Sequence, residues 1–281
     1  MKNHLKAHAK KIIAQRMHIS DHEMNMLLGQ TGVVNPITDE GDLISLIHKL
    51  SPVMGDDMEL IRFGPNGDGG YLIPDDLIGV EACFSPGVNL ISGFEKDCAN
   101  TGMKVFLADK SVDQAAESDE MFHFTKKYVG VTTSEDCMTI DDWVSSSLPE
   151  NPSDLLLQID IEGAEYEVFL GMSDCLMRRF RIIVAEFHGL EKLWSRHFFQ
   201  FASKAFEKLL QTHTCVHIHP NNCCGYVQKN ELAIPSAAEF TFLRSERISN
   251  PSLVDSFPHP LDCNNTSKPF LALPKCWYSE R

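Results

Sequence analysis

The sequence predicts an α/β fold with a mostly parallel sheet, helices on both faces and a helical extension at the N-terminus. Three observations carry this. Short apolar runs alternate with stretches of helical spacing from residue 80 onward, which is the pattern of βαβ units. The first run is broken by Ser85-Pro86-Gly87 and the second is closed by Asp109. No internal repeat or low-complexity tract interrupts the series, and 281 residues suit one sizeable core better than two equal domains.

In chain order, residues 1–60 read as the extension, with Leu43, Ile44, Leu46, Ile47 and Leu50 at helical spacing and Pro52 as the stop. A turn-rich segment, Arg62 to Tyr71, leads to the apolar pair Leu72-Ile73. The main domain is expected over 61–248. Its strands are expected at Val80–Phe84, Lys104–Ala108, Tyr128–Val131, Leu155–Asp160, Arg181–Glu186 and Thr214–His219, with Phe240–Leu243 closing the series. Helices are expected at Leu90–Asn100, Ile140–Val144, Ala164–Leu170 and Phe198–Leu210. Residues 249–281, rich in Pro, Ser and Asn, read as a tail packed on the domain.

Composition narrows the function. The hydrophobic fraction of 43% is that of an ordinary globular protein. Against 39 acidic residues stand 25 Lys and Arg, a net charge of −14, so a phosphate backbone is a poor first guess for the partner. No run is long enough to span a bilayer. Nine cysteines without a CxxC pair indicate neither a disulfide framework nor a structural zinc site. The basic N-terminus lacks the apolar core of a signal peptide, which points to a cytoplasmic protein. The alternative is the secretory-pathway lumen, if the chain is a catalytic domain cut from a longer protein; the overlapping sequons at Asn264 and Asn265 would then matter.

In a doubly wound, Rossmann-like sheet, ligands bind at the carboxyl ends of the strands, where the strand order reverses. The first strand ends at Ser85-Pro86-Gly87, and Gly87 lets backbone approach a ligand. Asp109 closes the second strand, 22 residues later, placed to accept from ribose hydroxyls. A turn glycine and a solvated aspartate would read the same way. Neither GxGxxG nor a P-loop is present, which leaves a nucleoside with a small charged tail.

The stretch Gln158-Ile-Asp-Ile-Glu-Gly-Ala-Glu-Tyr-Glu-Val-Phe-Leu-Gly171, with Thr139-Ile-Asp-Asp-Trp143 before it and Ile182-Ile-Val-Ala-Glu186 after it, resembles the FkbM methyltransferases. Their mark is a strand ending in D-x-E-G-x-E and followed by a helix. The Asp68-Gly-Gly-Tyr71 segment is similar to branches of that family, and the resemblance covers about residues 60 to 245. It implies the class I methyltransferase fold, S-adenosylmethionine as donor and transfer to oxygen. Ser85-Pro86-Gly87 departs from the family's richer glycine loop. The donor is then expected at Gly70, Tyr71, Ser85, Gly87, Glu95, Asp109 and Asp160.

Displacement at a sulfonium needs an aligned acceptor and a group to take its proton. Candidates at the strand ends are His188 as base, Glu186, Asp160 and His219. Glu162, Asn221 and Asn222 are expected to bind the acceptor. Asp160 and Glu162 could instead cap a helix, and Asn221-Asn222 could be a turn after Pro220. Asp160, Glu186, His188 and His219 would also serve as ligands for Mg²⁺ or Mn²⁺. The acceptor is expected to be a small molecule or glycan, most simply a sugar hydroxyl. A polyketide or phenolic acceptor, and a non-catalytic nucleoside-binding module, are the alternatives.

Overall fold

The computed structural model describes residues 36–88, 91–148 and 153–278; the expected elements before residue 36 lie outside them. Helix α1 (Glu40–Lys49) begins at Asp39, whose carboxylate accepts from the Gly41 N–H, and buries Leu43, Leu46 and Ile47. Strand β1 (Val53–Met54) pairs with β15 (Ser252–Leu253). The turn-rich segment is the loop of an antiparallel hairpin, β2 (Leu60–Phe63) and β3 (Tyr71–Pro74).

The expected strands then follow: β4 (Val80–Pro86), β5 (Lys104–Ala108), β9 (Asp154–Ile159), β10 (Phe180–His188), β11 (His213–Pro220) and β14 (Ala237–Arg244). Helices α2 (Gly93–Asn100), α3 (Ile140–Ser147), α4 (Glu165–Gly171), α5 (Asp174–Arg179) and α6 (Arg196–Leu209) lie between them. The second helix starts three residues later than its apolar pattern predicts.

One strand was misplaced by the sequence pattern. The third strand of the central sheet is β6 (Phe122–Thr125), whereas Tyr128–Gly130 is β7, paired outside that sheet with β8 (Cys137–Thr139). Strand β6 is a short, half-buried edge strand of alternating composition, so it offers no continuous apolar run to read. A hairpin of β12 (Tyr226–Lys229) and β13 (Leu232–Pro235) completes the strands.

The central sheet runs β11-β14-β10-β9-β4-β5-β6. The pairings from β10 through β9, β4 and β5 to β6 are parallel, and β14 is antiparallel to both of its neighbours. One face packs on α1, α3, α4, α5 and α6 through residues such as Trp143, Phe169, Phe187 and Phe206. The other is covered by α2 and the β2–β3 hairpin, through Phe94, Tyr71 and Ile73. The tail is more than a surface layer: Trp277 is fully buried and its indole donates to the Ala233 carbonyl, 2.9 Å away. Among the described residues, no helix is long and apolar enough to cross a membrane.

The strand order reverses between β4 and β9, and there the two strand ends touch. Gly87 has φ +93°, and a Cβ on it would lie 1.5 Å from the Asp160 carbonyl oxygen. Only a residue without a side chain fits. Gly87→Ala is therefore expected to lower stability by about 3 kcal/mol, combining left-handed strain with the clash. Gly102→Ala, at φ +92° with nothing within 4 Å of its added Cβ, should cost only about 1–2 kcal/mol. Denaturant unfolding of both variants checks the difference.

Candidate functional site

A cavity of about 470 Å³ opens at this reversal, lined by Gly87, Val88, Asp109, Tyr128, Asp160 and Glu162 among others. That is within the roughly 300–1,000 Å³ of small-molecule sites. A smaller recess, of about 40 Å³, shares Gly87 and Asp160 with it and is lined also by Asp68, Gly69, Tyr71, Glu95 and Gln158. The sheet creates this cleft because β4 leads away to β5 on one side, while β9 leads to β10 on the other. Asp109 is half-buried at the end of β5, and its Oδ1 accepts from both the N–H and the hydroxyl of Ser111, each 2.7 Å away. That fixes the carboxylate and leaves Oδ2 to meet a ligand.

Gly87, Asp109, Asp160 and Glu162 therefore line one cavity, as Tyr71 and Glu95 line its recess. Two of the expected donor contacts do other work. Gly70 packs inside the hairpin loop, where a Cβ would fall 2.0 Å from the Pro65 carbonyl and 2.5 Å from the Arg62 guanidinium. Ser85 is fully buried, with its hydroxyl 2.5 Å from Glu95 Oε1 and 2.6 Å from Gln158 Oε1. One O–H cannot donate to both. Burial raises the pKa of Glu95, while the hydrogen bond from Ser85 works to lower it; the Gln158 amide donates to Tyr71 at 3.2 Å.

Beside the cavity stands a histidine among carboxylates. Strand β10 runs two residues past its expected end, so Glu186 and His188 lie on the strand itself and share a face. His188 Nε2 is 3.6 Å from Glu162, 3.8 Å from Glu186 and 3.9 Å from Asp160, and Nδ1 is 3.2 Å from Glu165. Burial disfavours the imidazolium, but the hydrogen bond to Glu165 and the charges of Glu186, Glu165 and Asp160 outweigh it, raising the pKa to about 9. Burial and the Glu186 charge push Asp160 up to about 8. At neutral pH, then, His188 carries a proton, contrary to the expectation of a ready base, and Asp160 is the group poised near neutrality.

Glu165 is the residue that sequence reasoning missed. It is the third acid of the D-x-E-G-x-E stretch, fully buried at the first position of α4, and its Oε1 accepts from the N–H groups of Ile161 and Gly163, both at 3.0 Å. Those bonds hold a loop in which Glu162 has φ +58° and Gly163 φ +108°. Its place in the motif was the available signal.

The remaining candidates are drawn into the framework. Asn221 donates to Glu186 at 2.8 Å, while Asn222 donates to the Thr266 and Lys268 carbonyls and accepts from the Thr266 N–H. Both are buried, and these bonds brace the rim and the tail. His219 lies 3.5 Å from Asp262, which also bonds His217 at 2.9 Å. It is separated from the compact group of possible metal ligands, which comprises Asp160, Glu165 and His188 among the described residues. Across the sheet, Glu186, Glu239 and His219 stand in one rung. Burial raises the Glu239 carboxyl to about 8, and Asn265 of the tail donates to it at 2.6 Å. Neither Glu239 nor Asp262 carries a motif by which to single it out.

The Methyltransferase FkbM domain model matches residues 74–216 of this chain. Among solved structures, the methyltransferase FkbM from Methylobacillus flagellatus KT matches with a TM-score of 0.34 and 11% identity, over 58% of this chain and 44% of that one. The chain thus spans under half the length of that protein. No curated protein matches.

Asp160, Glu239 and His188 all bind protons more tightly in the folded chain than in an unfolded one. Their stabilising contribution is full below the unfolded pKa and is lost as pH rises through the folded one. For the two carboxyls that window runs from about 4 to 8, and for His188 from about 6.5 to 9. The melting temperature of the ligand-free protein is expected to fall between about pH 6 and 9, with a shallower slope in Asp160→Asn. Calorimetry across that interval checks it; an equal slope in the variant would contradict the assignment.

Proposed function

The chain belongs to the FkbM methyltransferase family, and from that premise we propose that it is an S-adenosylmethionine-dependent O-methyltransferase acting on a hydroxyl of a sugar or glycan. The observation that carries this reading is the cleft at the strand reversal, with Gly87 and Asp109 on its wall and the carboxylate–histidine cluster at its inner side. S-adenosylmethionine, when bound, supplies an electrophilic methyl group on a cationic sulfur. Asp109, which lines the cavity with its Oδ1 engaged by Ser111, would accept from the ribose hydroxyls of the donor. The carboxylates of Asp160, Glu162 and Glu186 favour a cation beside them, and Asp160 Oδ1 is buried without a hydrogen-bond partner, with His188 Nε2 3.9 Å away.

On the acceptor side, Glu186 and Asp160 accept hydrogen bonds from hydroxyls, which suits a polyol. His188, protonated, steadies both carboxylates and donates toward the acceptor oxygen. Asp160, raised to about 8 in the ligand-free chain, would be held ionised beside a cationic donor and would then take the proton of the acceptor hydroxyl. The imidazolium fills the role of a local cation beside these carboxylates.

Calorimetry should give micromolar affinity for the donor or its demethylated product, and Asp109→Ala should weaken it by about 1.5–3 kcal/mol through the lost charge-assisted bond. No binding to folded protein would end the methyltransferase reading. A panel of methyl glycosides and phenols with labelled donor identifies the acceptor; transfer confined to phenols would exclude a sugar. With an acceptor in hand, Asp160→Asn is expected to lower kcat by about 10²–10⁴ while donor affinity holds. Turnover should survive exhaustive chelation. Loss that Mg²⁺ or Mn²⁺ restores would assign the cluster to a metal.

A further inference from the structure

We propose that Glu165 is the positioning residue of this site, one carboxylate oxygen that holds the loop lining the donor cleft and fixes the ring of His188. The inference rests in part on the reading above, since it takes the cleft as the donor site; its geometric core does not depend on it.

Three contacts converge on Glu165 Oε1: the Ile161 N–H at 3.0 Å, the Gly163 N–H at 3.0 Å and His188 Nδ1 at 3.2 Å. The first two belong to the loop whose residues Ile161, Glu162 and Ala164 line the 470 Å³ cavity. That loop needs holding, because Glu162 is a non-glycine residue at φ +58°. Helix capping alone accounts for these two bonds, as an acid in a first helical turn commonly satisfies free N–H groups. It does not account for the third, which reaches β10, 23 residues away. With Nδ1–H donated to Glu165, the ring has one orientation left, and Nε2 is turned toward Asp160, Glu162 and Glu186. The buried side chain is fully screened from water, so its charge acts on these three partners undiluted. The loop and the histidine are thereby placed by the same atom, and neither can shift without the other.

The test compares Glu165→Gln, which keeps an oxygen acceptor but no charge, with Glu165→Ala, which keeps neither. In the ligand-free full chain, NMR should show a slowly exchanging His188 Nδ1 proton and downfield Ile161 and Gly163 amides. Glu165→Gln is expected to retain the amide shifts and to hold affinity for the demethylated donor product within about threefold. Its Nδ1 proton should exchange faster, because the charged acceptor is gone. Glu165→Ala should lose all three signals and weaken product binding by roughly tenfold or more. A His188 Nδ1 proton unchanged in Glu165→Gln and Glu165→Ala would overturn the proposal and leave Glu165 a helix cap. If Glu165→Ala fails to fold, Glu165→Gln decides alone through the same signal. Should the wild-type protein bind no donor product, the reading of the cleft fails, while the NMR comparison still settles the role of Glu165.

Discussion

The backbone contact between Gly87 and Asp160 organises the site. These residues end the two central strands, and their approach leaves no volume for a side chain. The reversal of strand order opens the cleft, but this seam sets its floor. Because β4 and β9 run parallel side by side and the Asp160 N–H donates to the Pro86 carbonyl at 3.3 Å, the loop that follows Asp160 lines the cavity. Whatever binds there meets backbone on one wall and carboxylates on the other.

Carboxylates gathered at such a seam repel one another, and the fold manages the repulsion in two ways. It surrounds a single imidazolium with Asp160, Glu162, Glu165 and Glu186, and it raises the pKa of Asp160 and Glu239 to about 8. Both are partial remedies. A site that retains protons on its acids when empty is matched to a positively charged guest, and it releases those protons when one arrives.

The rim is braced from outside the sheet. Asp262 ties His217 and His219 to the tail, Asn265 reaches Glu239, and Asn222 clasps the Thr266–Lys268 backbone. Arg62 does the same for the hairpin loop, donating to the Pro65 and Gly67 carbonyls. Burial of polar groups is tolerable only when each has a partner. For Asn222, Glu239, His217 and His219 the partners come from the tail, 26 to 46 residues on, which makes the tail part of the site's architecture.

Most of the sheet was legible in sequence, because buried parallel strands are continuous apolar runs and their ends carry glycine or acid. So were the cleft-lining residues Gly87, Asp109 and Asp160, since they stand at those ends, and the D-x-E-G-x-E stretch pointed to the family. Strand β6 escaped, being a half-exposed edge. Which polar residue bonds which was not legible at all. Asn222 and Ser85 look like ligand contacts until the tail and α2 are seen to occupy them, and Glu165 looks like one more helix acid until β10 brings His188 to it. Local sequence determines where a strand ends and which side chains stand at its end, because periodicity and backbone freedom act over a few residues. The protonation of His188 and the partners of each buried acid were decided only by tertiary structure, because electrostatic interaction depends on distance in space and on the water that packing excludes.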